Sequence, residues 1–456
     1  MNAELPKIAL AERLAERIAA VEAAGLTAAM RARCEETAID VIGLCLAARN
    51  EAYVRSTLEA CDDGGPCTAI GHSRTLGGAG AALVNGTAAH GEDFDDTFEG
   101  GPVHAGAVIV PAVLAAAERY GSSGADALAG VAVGIEIMCR MGLVAPKMVH
   151  KAGFHPTAVF GAMGAAAAVA RTLRLNMKQT VDAFGVAGSM ASGIIEYLAE
   201  GASTKRMHAG WAAQSGYRAA LMARAGFEGP RTVFEGSHGF FHGFANTTRG
   251  DFEALAGDFG ARWIAEALAF KLYPCGTMTH PYIDCARRLG VKLKANDVVE
   301  MVCDVGEGTV HRLWEPLAAK QKPANGYAGK FSTPYCIAAG FVRGNVGLSD
   351  FTDDAVKDVA VLALAGKVRF RIDPDNPYPN NFTGHIRATL RDGSVVEERQ
   401  PHMRGGAHEP LSRADIEQKF MLNARHGGYD GTGAKVALTI AAGVFAGKID
   451  LSGLRG

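Results

Sequence analysis

The chain predicts a mainly α protein: a large all-helical domain with a smaller α+β lid domain inserted before its last helices. Three observations lead there. The 456 residues are 48% hydrophobic and 21% charged, enough for more than one core and too apolar for disorder. Up to about residue 268, long Gly- and Ala-rich stretches alternate with helix-start signals. From there to residue 402 the pattern changes to Val-rich runs, alternation and a turn-punctuated hairpin. The predicted domains are therefore 1–268 with 403–456, and 269–402.

In chain order, Pro111 sits within the apolar run Val108 to Ala117, where it belongs to a first helical turn or a kink. Ser123 with Asp126 opens a helix to about Met141. The small residues from Gly161 to Ala170 let helices approach closely. Asn176 and Gln179 form a capping box for a helix predicted through Tyr197. Asp297 to Val310 reads as a strand, as does Lys367 to Ile372. Gly384 to Glu397 reads as a hairpin around Asp392-Gly393. Helices are expected at about Thr333 to Val342 and Thr352 to Leu364. Ser412 then caps a helix through Asn423, and Ala434 to Ala446 is apolar. A cleft between body and lid is the expected ligand site.

Composition excludes several functions. Net charge is −2, with no basic stripe, which argues against nucleic acid. The amino terminus carries charge early and shows no secretory apolar region, and Ala152 to Ala170 reads as a buried helix rather than a membrane span. A cytoplasmic protein is expected. The nine cysteines are odd in number and none are spaced Cys-x-x-Cys, which argues against a disulfide framework, a zinc ribbon and an iron–sulfur cluster. Gly78-Ala79-Gly80 is read as lacking a preceding strand, and Gly427 to Lys435 lacks the adjacent Gly-Lys of a phosphate loop, so no nucleotide site is expected.

Chemistry concentrates in four islands. The first holds Asp93, Asp95, Asp96 and Thr97, followed by Glu99 and His104. Its acids fit either a Mg²⁺ site built on Asp95, Asp96 and Glu99 or a metal-free polar rim; no second metal motif accompanies them. The second, Gly153-Phe154-His155-Pro156-Thr157, puts an imidazole at a helix N-terminus, which favours anions. The third, Lys205, Arg206 and His208, supplies cations from a turn. The fourth runs from Lys271 to His280 at the domain border. Histidines, lysines and an aspartate without a metal or nucleotide motif fit proton abstraction beside a carboxylate. Elimination, decarboxylation or reprotonation would follow.

These islands carry a resemblance. Ala89-His90-Gly91-Glu92-Asp93-Phe94-Asp95-Asp96-Thr97, His104-Ala105-Gly106, Gly153 to Thr157, Thr204 to Gly210, Lys271 to Cys275 with Thr279-His280, and Gly329-Lys330-Phe331-Ser332 follow one another as in the MmgE/PrpD family. That family includes 2-methylcitrate dehydratase, cis-aconitate decarboxylase and iminodisuccinate epimerase. The resemblance covers nearly the whole chain and implies a homodimer that needs no metal or organic cofactor. It implies active-site roles for Asp93, Thr97, His104, His155, Lys205 and Lys271. His104 or Lys205 would be the base, and Lys271, His155 and Thr97 would hold carboxylates. Arg206, His208 and His280 join them as candidate substrate contacts, with His104, Lys205, His155 and Asp93 as the catalytic set. One departure stands out: where the decarboxylase places a catalytic histidine two residues after Lys-x-x-Pro, this chain has Gly276. The resemblance therefore implies a lyase for a small polycarboxylate, first a 2-methylcitrate-type dehydratase, with an epimerase of an amino- or hydroxydicarboxylate as the alternative.

Overall fold

The structure is a computed structural model and describes residues 8–456 apart from 102 and 201. The charged amino-terminal stretch, and Pro102 ahead of His104, lie outside the described residues. The chain is mainly α with a smaller α+β region, and it divides into two compact units: residues 1–268 with 412–456, and 269–411. The sequence reading gave 403–411 to the helical body. That stretch has no helical period, and its backbone is tied within the smaller unit, Phe270 N–H donating to Gly405 O at 2.9 Å.

In the larger unit, the helix Thr204–Arg224 packs against both Gly78–Gly91 and Pro156–Thr172. Glycine permits the crossing of Gly78–Gly91 with Thr204–Arg224: a Cβ on Gly86 would lie 2.6 Å from Gly210 Cα, so neither helix tolerates a side chain there. The helix Gly124–Val144 is long and apolar enough to cross a membrane, but 94% of its apolar window is buried in the unit, which makes it a core helix. Pro111 lies inside the helix Gly106–Tyr120, beyond its first turn. The capping box at Asn176 forms, each partner accepting the other's backbone N–H, but its helix ends at Met190 rather than Tyr197. Ala191 is extended and Gly193 takes φ 131°, so the chain leaves the helical region there. All nine cysteines are free and buried.

A two-residue strand, Thr75–Leu76, does precede Gly78, contrary to the sequence reading. Its partner is the antiparallel strand Cys67–Thr68, so this glycine segment does not open the parallel strand–helix–strand unit of a dinucleotide fold.

The smaller unit is built on a four-stranded sheet in the order Val368–Ile372, Val298–Val305, Gly384–Leu390, Val395–Gln400. The first pair is parallel and the others antiparallel, the last closing the Asp392-Gly393 hairpin with Gly393 at φ 84°. The Val-rich strand stops at Val305, not Val310, because Gly306 begins a helix over Glu307–Leu313. The helix expected from Thr352 is broken: Asp358 accepts from the N–H groups of Ala360 and Val361 and starts a separate helix, Val359–Ala365.

Candidate active site

His90 lies in the last turn of Gly78–Gly91, fully buried. Asp93 then takes φ 55°, a left-handed conformation that Asp tolerates better than most residues. The reversal returns Asp95 to His90, whose Nδ1–H donates to Asp95 Oδ2 at 2.6 Å. Asp96 accepts from the backbone N–H of Ala105 and of Gly106, each at 2.9 Å, and so caps the helix Gly106–Tyr120. A Cβ at residue 106 would collide with the Asp96 carboxylate, which explains the glycine.

That loop fixes His104. Its backbone N–H donates to Thr157 Oγ1 at 3.1 Å, and its Nδ1–H donates to Asp96 O at 2.7 Å. The Nδ1–H tautomer leaves the basic lone pair on Nε2. His155 occupies the N-cap position of Pro156–Thr172, anchored through its backbone N–H to Gly193 O at 2.8 Å. Lys205 and His208 come from the first turns of Thr204–Arg224, which replaces the turn expected there. Lys205 Nζ pairs with Asp93 Oδ1 at 2.5 Å, and His155 Nδ1 meets His208 Nδ1 at 3.1 Å.

Four imidazoles thus cluster, with ring centroids 5.0 Å apart for His90 and His104, 5.7 Å for His90 and His155, and 5.3 Å for His155 and His208. Tyr197 stands edge-on to the last two at 6.1 and 5.7 Å. Burial, then the charges of His90 and Lys205, holds the His208 pKa down at about 4. His155 is pushed well below its ordinary value by burial first, then by His90, Lys205, His208 and His104. Both are neutral at pH 7, so one Nδ1–H donates to the other Nδ1, and the pair necessarily presents one Nε2–H donor and one Nε2 acceptor. Burial, with Asp95 and Asp40 as further causes, pushes the Asp96 carboxyl well up.

A carboxy-terminal helix braces the acidic loop. Lys419, on Arg413–His426, donates to Phe94 O at 2.7 Å, lies 4.0 Å over the Phe94 ring, and pairs with buried Asp40 at 2.7 Å.

Of the predicted residues, Asp93, His104, His155, Lys205 and His208 come together, and Thr97 is buried on the same loop. The Arg206 guanidinium lies 4.5 Å over the Tyr53 ring. Lys271 and His280 belong to the smaller unit, both fully buried, His280 edge-on to Tyr273 at 5.2 Å. Burial alone would raise the nearby Cys275 thiol, but Cys336, His280 and Lys271 outweigh it and hold its pKa at about 6.

The Mg²⁺ reading of Asp95, Asp96 and Glu99 is not supported. Asp96 spends both oxygens on a helix N-terminus, and Asp95 faces two imidazoles, so no all-oxygen cage forms from this pair. Among the described residues, the group with metal-ligand spacing is His90, Asp95 and His104, whose ligand atoms lie within 4.8 Å of one another. Two nitrogens and one carboxylate suit a transition metal rather than Mg²⁺, and here those groups bond to one another and to the backbone.

Residues missed from sequence are His90, Tyr197, Asp40 and Lys419. His90 carried a signal, since it stands in the conspicuous string before Asp93. The others carried none, being brought in from distant segments.

Comparison with known proteins gives one result throughout. The MmgE/PrpD N-terminal domain profile matches residues 12–253 and the C-terminal domain profile matches residues 273–438. The cis-aconitate decarboxylase-like protein oryM of Aspergillus oryzae is 28% identical over 412 residues, 85% of each chain. Cis-aconitate decarboxylase of Mus musculus is 31% identical over 355 residues, 75% of this chain and 71% of its own. Cis-aconitate decarboxylase of Aspergillus terreus is 28% identical over 396 residues, 81% and 79% respectively.

Proposed function

The chain belongs to the MmgE/PrpD family and is a lyase-type enzyme, and we propose that it acts on a small polycarboxylate by moving a proton at the carbon beside a carboxylate, without a cofactor. One observation carries this reading: His104, its Nδ1–H tied to Asp96 O so that Nε2 keeps the basic lone pair, stands 6.5 Å ring to ring from His155, whose neutral pair with His208 lies in the field of Lys205.

The roles follow from the partners. An ammonium held by a carboxylate is a poor base and a good anchor for anionic oxygen, so Lys205 stabilises the charge that develops on the substrate carboxylate and His104 takes the proton. The neutral imidazole pair offers one N–H donor to a carboxylate or a departing hydroxyl. Lys271 and Thr97 serve as carboxylate clamps, by resemblance. In a dehydration His104 removes the Cα proton, the electron pair forms the C=C bond, and hydroxide leaves with a proton as water. In a decarboxylation the carboxylate leaves as CO₂ and the electron pair left on carbon takes a proton from the Nε2–H of the imidazole pair or from His104 in its protonated form.

The finer assignment favours dehydration of a 2-methylcitrate-type hydroxy acid. Gly276 stands where the resemblance places the decarboxylase histidine. Its Cβ position lies 3.1 Å from a Leu313 methyl, so a large side chain there needs Leu313 to move. Decarboxylation of cis-aconitate is the second reading, favoured by the names of the relatives. NMR in D₂O of metal-stripped protein with 2-methylcitrate, citrate, cis-aconitate and iminodisuccinate decides. An olefinic product from 2-methylcitrate supports dehydration, and loss of CO₂ from cis-aconitate selects the second reading. Deuterium at an α-carbon without elimination moves the assignment to an epimerase, and no reaction with any of the four overturns the polycarboxylate reading.

Two further expectations belong to this reading. A cytoplasmic location is checked by fractionation. A homodimer is consistent with the helix Thr204–Arg224, which leaves Met207, Trp211 and Met222 exposed at 38%, 40% and 36%. Light scattering on wild type and Trp211→Glu tests it, and a monomeric wild type would sink it.

A further inference from the structure

Asp95 faces two imidazoles at once. Its Oδ2 accepts from His90 Nδ1–H at 2.6 Å, while its Oδ1 lies 3.5 Å from His104 Nδ1. The His90 and Asp95 side chains have no solvent exposure, and His104 keeps 12%. We propose that His90 and Asp95 are a buried positioning pair: Asp95 stabilises the positive charge His104 acquires on taking a proton, and His90 holds Asp95 ionised and aimed. This rests on the reading of His104 as base.

The neighbouring charges single Asp95 out. Asp93, in the same loop, is spent on Lys205 from Thr204–Arg224. Asp40, from Ala28–Ala48, is spent on Lys419 from Arg413–His426. Asp96 caps a helix, and Arg33 faces Glu36 at 3.3 Å on its own helix. The remaining titratable neighbours, His155, His208 and Cys139, are neutral at pH 7, the thiol because burial pushes it well up. Asp95 is thus a carboxylate whose two oxygens face both His90 and His104.

In neutral His104 the Nδ1–H donates to the Asp96 carbonyl, and Asp95 Oδ1 stands 3.5 Å away within ion-pair range but without a hydrogen bond to it. Protonation at Nε2 spreads charge over the ring, and the carboxylate then attracts it strongly because both lie out of water. A buried carboxylate keeps its charge only when hydrogen-bonded, and His90 supplies that bond. His90 is not a relay: among the described residues, its Nε2 has no hydrogen-bond partner. It acts through one nitrogen, on one oxygen.

The test uses ¹³C-histidine protein, following the His104 Cε1–H signal from pH 5 to 9, assigned by its loss in His104→Asn. Asp95→Asn is expected to move the His104 midpoint down by at least one pH unit, a tenfold loss of proton affinity. His90→Phe should move it the same way. His90→Asn should restore it, because the amide N–H occupies the place of Nδ1–H. With substrate, the acidic limb of kcat/KM should shift in parallel, which a purely structural role would not produce. An unchanged midpoint in folded Asp95→Asn overturns the proposal, as does His90→Asn behaving like His90→Phe. If Asp95→Asn does not fold, the two His90 variants decide. The titration needs no substrate. A shifted midpoint in a protein that turns nothing over therefore refutes the lyase reading alone, and turnover with unshifted midpoints refutes the pair alone.

Discussion

Lowering the pH from 7.5 to 5 protonates an unfolded histidine, whose ordinary pKa is about 6.5, until the charged form leads by roughly thirty to one. His208 in the folded chain has its pKa held at about 4 by burial, His90 and Lys205, so at pH 5 it stays about ten to one neutral. The unfolded state then binds more protons than the folded one, and stability falls as pH falls. The contribution is whole above the unfolded pKa, is lost between there and about 4, and is constant below. The full difference of about 2.5 pH units is worth roughly 3 kcal/mol, of which roughly 2 kcal/mol is gone at pH 5. The geometry says why the proton is refused. A first proton on the His155–His208 pair keeps the 3.1 Å Nδ1–Nδ1 hydrogen bond but must enter a buried site beside Lys205; a second would set two N–H groups against each other. Asp96 and Asp40 are pushed up by burial and act in the opposite sense, so the comparison is with His208→Asn, where their effects cancel. Urea titrations of both proteins, with the larger unit's transition fitted separately, should show wild-type stability relative to the variant dropping by roughly 2 kcal/mol from pH 7.5 to 5. A pH-independent difference would refute the reasoning, and so would a His208 ring signal titrating near 6.5.

Lys205→Ala should lower turnover by two to three orders of magnitude, roughly the worth of one positioned charge donor, and should also destabilise the fold because it strands buried Asp93; near-normal kcat removes Lys205 from the mechanism. His104→Asn keeps a donor toward Asp96 O but has no basic nitrogen, so deuterium exchange at the substrate α-carbon should vanish; continued exchange points to another base. Lys271→Met should mainly raise KM, since a clamp binds ground and transition states alike, and an unchanged KM places it outside substrate contact. Binding of a polycarboxylate should be accompanied by proton uptake that grows as the pH is lowered, because an anion beside His155 opposes the charges that lower its pKa; calorimetry in buffers of different ionisation enthalpy showing no uptake at any pH where the fold holds would contradict this.

Much of the site was legible because its residues cluster locally. His155-Pro156 announces an N-cap, Lys205 and His208 sit three apart on one helix, and Asp96 lies a short loop from the helix it caps. What was not legible depends on reversals and distant partners. The His90–Asp95 bond spans five residues but needs the positive φ of Asp93, which no hydrophobic period reveals. Lys419 reaches Phe94 across 325 residues. The aspartates of the first island looked alike in sequence, two of them, Asp95 and Asp96, suited with Glu99 to a shared cation. Their partners separate them: Asp93 holds an ammonium, Asp95 two imidazoles and Asp96 two backbone amides.

That separation explains how the site keeps so many titratable groups in a dry interior. Each carboxylate is matched to a donor of different kind, so three acids crowded into one loop need no shared metal ion to neutralise them. The imidazoles are left to divide by environment. His155 and His208 face Lys205 and burial, and stay neutral. His104 faces Asp95 and keeps some exposure. A single histidine sequence motif would treat these rings as equivalent; on the reading proposed above, their different partners make His104 the base and leave the His155–His208 pair to supply one N–H donor.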